Sequence, residues 1–298
     1  MEHLDTDSER SSRVLLLGAR GFLATALRPE LERSGAKVRA LPSTEFDLTA
    51  PKAVPLLTAE LRPDDTLVFL SALTPDRGRG IDTAMANLRM AEHVCAALAK
   101  AKCRHVVYVS SDAVYRDQVV LVDEDAPADS ASVYGSMHAF RERMLLQTLA
   151  ATQTRLAILR PTLVFGAGDT HGSYGPNRFM RSILKDQKIM LFGNGEEQRD
   201  HVFVNDAVRL IAEVVRRTSA GVLNVATGES IAYGALAERV AALSKAAVRI
   251  ERLPRAANAA ILHRHYDVTA LRRAFPDFAF TPRQAALELA WAGYASNA

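Results

Sequence analysis

Arg13-Val-Leu-Leu-Leu-Gly18-Ala-Arg-Gly21-Phe-Leu-Ala24 is an apolar strand-like run that ends in a glycine turn and passes into a segment of helical period. Glycines at such a turn let the backbone bend tightly and approach a pyrophosphate, which then rests on the positive end of the helix. The third small position is Ala24 rather than glycine. A turn that merely packs a helix on a sheet has the same pattern. Its placement at the first strand-to-helix turn of a longer series is what points to dinucleotide binding.

Further along the chain, short Val-, Leu- and Ile-rich runs recur at Lys37–Leu41, Thr66–Ser71, His105–Ser110 and Arg155–Arg160, separated by longer helical segments. This alternation predicts an α/β fold: a doubly wound parallel sheet wrapped by helices. One helix is expected at Phe22–Ser34, bent at Pro29, which lacks an N–H. A second, Ala86–Lys100, carries Leu88, Ala91, Val94, Cys95 and Leu98 on one face. A third, Val133–Thr148, presents Val133, Met137, Phe140 and Met144 as its buried stripe, with Tyr134, His138 and Arg141 about a quarter turn round. After Pro161 the glycines Gly166, Gly168, Gly172 and Gly175 crowd together, as in loops around a site. Alternation then resumes with a strand at Gly221–Ala226, a helix at Tyr233–Ala246, a strand at Val248–Leu253 and helices from Asp267 and Pro282.

The 298 residues, 48% hydrophobic and 24% charged, exclude a disordered or collagen-like chain, and a net charge of +3 marks neither a nucleic-acid nor a membrane-surface protein. Cys95 and Cys103 have no metal-ligand spacing and read as buried thiols. Residues 1–12 are polar and acidic, unlike a signal peptide, so a loose tail and a cytoplasmic location are expected.

Two further constellations carry chemistry. Val109-Ser110-Ser111-Asp112-Ala113-Val114-Tyr115 lies at the C-terminal end of a buried strand, where open α/β sheets bind ligands. A hydroxyl there can donate to a carbonyl or alkoxide, and a neighbouring carboxylate can orient or exchange a proton. A serine capping a turn would look the same. Tyr134-Gly-Ser-Met-His138 puts a phenol and an imidazole at i and i+4. A tyrosine works as an acid or base at neutral pH when a nearby cation stabilises its phenolate, and His138 is a candidate for that cation. A half-exposed tyrosine beside an unrelated histidine fits the spacing equally.

In this order the motifs resemble the extended short-chain dehydrogenase/reductases, specifically the nucleotide-sugar epimerase/dehydratase branch, from Arg13 to about Ala290. The resemblance implies a Rossmann-type NAD(P)-binding domain over 13–165, to which 200–227 return, and a smaller α/β substrate-binding domain within 166–298. It implies cofactor contacts at Gly18, Arg20, Gly21, Phe22, Leu23, Asp47, Leu48, Ser71, Ala72, Asn87, Ser110, Tyr134, His138 and Pro161, with Asp47 on the adenine. Leu41-Pro42-Ser43-Thr44 offers no carboxylate for an adenosine ribose, and Arg20 with the two hydroxyls inclines the choice between NAD and NADP towards NADP. Ser111, Tyr134, His138 and Asp112 fall at catalytic positions. Asn177, Arg178, Arg199 and Asp200 lie in stretches similar to the loops that hold a nucleoside diphosphate, where an arginine fork makes paired hydrogen bonds.

The sequence departs from the family pattern at two places. His138 replaces the lysine four residues after the tyrosine, and Ala113 replaces the glutamate of the dehydratases. The second departure argues against water elimination and leaves epimerisation or keto-sugar reduction by hydride transfer at a ring carbon. The first permits a rival: a catalytically impaired NAD(P)-binding sensor or scaffold of the same fold. The resemblance also implies a homodimer built on the two helices that precede and follow the Ser111 strand.

Overall fold

Val14, Leu15, Leu16 and Leu17 expose no surface, and strand alternation sends Val14 and Leu16 to one side, Leu15 and Leu17 to the other. Each such side chain contributes about 1.5–3 kcal/mol by leaving water. In the computed structural model, which describes residues 1–4, 13–170, 172, 175–255 and 263–296, this strand, β1 (Arg13–Leu17), sits inside a six-stranded sheet. The strands in chain order are β2 (Lys37–Leu41), β3 (Thr66–Phe69), β4 (His105–Val109), β5 (Leu121–Val122), β6 (Arg155–Pro161), β7 (Leu163–Phe165), β8 (Lys188–Phe192), β9 (Gln198–Phe203), β10 (Gly221–Val225), β11 (Ser230–Ala232), β12 (Arg249–Leu253) and β13 (His265–Tyr266). The large sheet has the order β2-β1-β3-β4-β6-β10, and all of its pairings are parallel. The chain goes from β1 to β2 on one side and then to β3 on the other. That reversal opens a crevice at the C-terminal ends of β1 and β3, beside Gly18 and Ser71.

Helices α1 (Phe22–Arg33), α2 (Ala53–Glu60), α3 (Ile81–Leu98), α4 (Val133–Leu149), α5 (Gly175–Asp186) and α6 (Val204–Arg216) follow the strands, with α7 (Tyr233–Ala241), α8 (Thr269–Ala274) and α9 (Arg283–Ala295) after them. Leu27 and Leu31 of α1 and Leu210 and Ile211 of α6 cover the Val14 face of the sheet. Leu57 of α2, Val94 of α3 and Leu145 of α4 cover the Leu15 face. The sheet is thus wound on both sides, a Rossmann-type arrangement. Small sheets β11-β9-β7, β12-β8 and β13-β5, with α5, α7, α8 and α9, make up the remainder.

The structure corrects several expectations. Helix α3 starts at Ile81 rather than Ala86, and α7 ends at Ala241 rather than Ala246. Residues 1–4 are not a loose tail: Glu2 bridges to Ala220, and His3 is hydrogen-bonded to Ser219 Oγ at 2.8 Å and Ala274 O at 2.7 Å. The expectation for 5–12 lies outside the described residues. Helix α4 departs furthest from the pattern, because Val133 and Phe140 of its apolar stripe are 41% and 52% exposed, while His138, Arg141 and Glu142 are buried. These polar groups turn inward because partners wait there: Tyr108 for His138, Ser71 O for Arg141 and Arg160 for Glu142. Cys95 and Cys103 are buried free thiols.

Candidate active site

Gly18 holds φ +85°, and a Cβ there would stand 2.9 Å from Ser71 N. Only glycine meets both demands, so the turn brings the ends of β1 and β3 close together. Gly21 N donates to Gly18 O at 2.9 Å, and Gly21 caps α1 with no side chain on its first amides. That helix end therefore faces the crevice with its positive dipole available to an anion. Arg20 donates to Ser43 Oγ at 2.8 Å across the end of β2. Asp47 turns back on Thr49, accepting from its N at 3.0 Å and its Oγ1 at 2.6 Å, and these bonds lower its pKa. Leu48 is buried, and its carbonyl is hydrogen-bonded to His93. Phe22 packs beside Gly166 and Gly168. Leu23, Ala72 and Pro161 are each half-buried.

Asn87 is buried and clamps the backbone of Leu73, accepting from its N at 2.7 Å and donating to its O at 2.9 Å. Its polar atoms thereby fix the segment that follows β3. A cavity of about 400 Å³ opens beside it, lined by Pro75, Arg79, Thr83, Asn87, Tyr134 and Met137 among others. Tyr134 thus reaches the wall of an open space. Ser111 caps the 3₁₀ turn Asp112–Val114, accepting from Ala113 N at 3.1 Å, and it lies close enough to the Tyr134 phenol to act towards a lower pKa there. Gly135 makes this meeting possible. A Cβ at that position would fall 1.9 Å from Ala113 O, so only glycine lets the first turn of α4 lie against the Ser111 loop.

Desolvation pushes the Tyr134 phenol up to about 12, with Arg141 acting in the opposite direction. His138 meets the Tyr134 ring edge-on at 4.7 Å between centroids, and its Nδ1 is 2.6 Å from Tyr108 Oη. Burial, then the charge of Arg141, drive the His138 pKa well below its ordinary value. Burial at this position therefore disfavours the imidazolium form of His138. Its Nε2 is buried and has no hydrogen-bond partner.

Ser110 is also turned away from the role expected for it. Its hydroxyl is buried and donates to Glu142 Oε1 at 2.6 Å, inside a network in which Arg160 grips both carboxylate oxygens at 3.0 and 2.7 Å. This is an interior brace that ties β4, α4 and β6 together. Asp112 accepts from Tyr266 Oη at 2.6 Å, and Arg264 donates to Asp112 O at 3.2 Å. The C-terminal segment therefore fixes the loop that carries Ser111.

The four residues expected at a diphosphate divide into two pairs. Asn177 is fully buried, accepting from Gly166 N at 3.0 Å and donating to Asp169 Oδ2 at 2.8 Å. Asp200 is fully buried and accepts from Thr227 N, Thr227 Oγ1 and Gly228 N at 3.2, 2.9 and 2.8 Å. Both side chains hold loops. Desolvation raises Asp200 to about 6. Arg178 is exposed and Arg199 half-buried, and both act electrostatically on the Tyr233 hydroxyl, which burial pushes up to about 12. Asp112 acts on that hydroxyl too. Tyr233, Tyr266 and Arg264 escape a sequence reading because no spacing ties them to Ser111. Gly135 carried a legible signal, a glycine in the first turn of a helix directly after the tyrosine.

Comparison with known proteins bears on this geometry. A family model described as the NAD dependent epimerase/dehydratase family matches residues 14–226. An N-acetyl-alpha-D-glucosaminyl-diphospho-ditrans,octacis-undecaprenol 4-epimerase from Escherichia coli O157:H7 is 27% identical over 233 residues, 71% of this chain and 65% of that enzyme. A dTDP-4-dehydro-6-deoxy-D-allose reductase from Streptomyces bikiniensis is 25% identical over 265 residues, 77% of this chain and 80% of that one. A GDP-L-fucose synthetase from Naegleria fowleri bound to NADP superposes with a TM-score of 0.84 at 16% identity, covering 100% of this chain and 98% of that one. The matched span runs from the glycine turn through the Ser111 loop and the Tyr134 helix to β10, and the chain belongs to the NAD-dependent epimerase/dehydratase family.

Proposed function

We propose that this protein is an NAD(P)-dependent enzyme of nucleoside-diphosphate sugars, an epimerase or keto-sugar reductase acting at a ring carbon. The observation that carries the reading is Tyr134 on the cavity wall, with the first turn of its helix pressed at Gly135 against the loop that holds Ser111. The Gly18 turn and the uncapped α1 terminus fit a pyrophosphate, with Arg20 and Ser43 near the adenosine end and Asp47 towards the adenine. A bound nicotinamide supplies or accepts the hydride. Ser111 Oγ donates to the sugar oxygen and orients it, while Tyr134 Oη gives that oxygen its proton in reduction or takes one away in oxidation. Arg178 and Arg199 hold the diphosphate, and the pairing of Arg20 with Ser43 inclines the cofactor towards NADP.

Residues 13–165 with 200–227 form the cofactor half in this reading, and 166–298 mainly the substrate half. The buried free thiols suit a reducing cytoplasm, and exposed apolar residues on α3 and α4 suit a homodimer. Tyr134→Phe tests the catalytic assignment. Oxidation of NADPH by 4-keto sugar nucleotides, and interconversion of sugar-nucleotide epimers, should both fall by two orders of magnitude or more, with cofactor affinity unchanged. Full activity in that variant removes Tyr134 from the mechanism. A wild type that binds cofactor and sugar nucleotide but never turns over supports the rival, a sensor or scaffold.

A further inference from the structure

A cation withdrawn from water is strongly disfavoured unless something in the protein compensates its charge. Arg141 exposes no surface. Its NH2 donates to Ser71 O at 2.8 Å, while Nε and NH1 have no hydrogen-bond partner. Aromatic rings form its walls: the guanidinium carbon lies 4.3 Å from the centroid of Phe69 and 5.1 Å from that of Tyr108. These ring faces offset part of the desolvation. The titratable groups facing it are Tyr134 and His138 from its own helix, Tyr108 from β4 and Cys95 from α3.

These groups form a layered stack that leads to the site. Arg141 lies over Tyr108, Tyr108 Oη is 2.6 Å from His138 Nδ1, and His138 meets the Tyr134 ring at 4.7 Å. Tyr108 is buried and its phenol stays protonated, and it shares a hydrogen bond with Nδ1 of His138. Tyr108 and His138 are then both neutral. A second cation at 138 would be repelled by the one already at 141, so the stack holds a single fixed charge.

We propose that Arg141, not the residue at 138, supplies the positive charge behind Tyr134, as a positioning residue that stabilises the phenolate formed when the Tyr134 proton passes to the sugar oxygen. The inference deepens the reading of Tyr134 as the proton donor. In that step the O–H bond of Tyr134 breaks and an O–H bond forms on the substrate. Negative charge is left on Tyr134 Oη until water reprotonates it, and a buried guanidinium meets that charge with no reorganisation of its surroundings.

The test needs neither substrate nor cofactor. A ring-fluorinated tyrosine placed at 134 in the full chain, whose lower intrinsic pKa brings its ionisation into reach, is titrated by fluorine NMR. Arg141→Gln, which keeps a donor for Ser71 O, and Arg141→Met should each raise the midpoint by about one unit, a tenfold change in the ionisation constant. Arg141→Lys should restore it to within a few tenths of a unit, and His138→Gln should leave it there. Thermal unfolding identifies the folded variants, and either neutral Arg141 variant decides the matter. An unchanged midpoint in a folded neutral variant overturns the proposal, as does an equal shift in His138→Gln. A shifted midpoint in a protein that turns over no sugar nucleotide supports the coupling and removes the catalytic reading instead.

Discussion

Single residues set how this protein responds to acid. His201 lies on β9 with neither ring nitrogen hydrogen-bonded, and burial pushes its pKa down to about 3. Burial likewise lowers His105 to about 4. In the unfolded chain both titrate near 6.5, so as pH falls below that value the unfolded state takes up protons first. Stability that is complete above about pH 6.5 is therefore lost at about 1.4 kcal/mol per pH unit for each group, down to the folded pKa. His201→Phe removes one of these groups without breaking a hydrogen bond. Urea unfolding between pH 6 and 4.5 should show a pH slope shallower by about 1.4 kcal/mol per unit in the variant. An identical slope would mean that His201 is already protonated in the folded state or is hydrated there. The Tyr134 neighbourhood follows the same physics: burial, and behind it the charge of Arg141, disfavours the His138 imidazolium, so histidine ionisation near pH 6 should leave no mark on the pH dependence of turnover.

Among the elements, the contact of α4 with the Ser111 loop matters most for the chemistry. It depends on Gly135, where an added Cβ would meet Ala113 O at 1.9 Å and Ser130 Oγ at 2.5 Å. A backbone oxygen cannot swing aside, so the helix or the loop has to move. Gly135→Ala should cost about 1–3 kcal/mol, read as a drop in the thermal midpoint of several degrees. Turnover should fall further than stability does, because the movement separates Tyr134 from Ser111. If Gly135→Ala keeps both its midpoint and its turnover, the close approach is not required.

At the scale of the whole molecule, α3 and α4 pack together on the sheet yet leave Ile81, Met85, Phe140 and Leu146 65%, 49%, 52% and 52% exposed. Large apolar side chains left open on adjacent helices suit an isologous contact, the commonest closed assembly. Light scattering at micromolar concentration should give twice the 32.5 kDa chain mass, and Phe140→Glu together with Leu146→Glu should return the monomer with its fold intact. A wild type that already scatters as a monomer removes the dimer. Among the described residues no helix is long and apolar enough to cross a membrane.

The sequence by itself determined the sheet, because Val14–Leu17 and Val106–Val109 are apolar at successive positions, and a strand sends successive side chains to opposite faces, so both faces must be covered. It also determined the glycine turn, since Gly18 and Gly21 act within a few residues of chain, and the family, whose motifs are local. Tertiary structure alone decided which way α4 faces. Tyr134, His138 and Arg141 share a stripe in any helix, but their inward turn depends on Ser71 O, Phe69 and Tyr108, which arrive from other strands. The same holds for Tyr266 and Arg264, which reach Asp112 from more than 150 residues away, and for Asn177 and Asp200, whose polar atoms are taken up by loop backbones. Burial and charge compensation are properties of surroundings assembled from distant segments, and no periodicity within one segment encodes them.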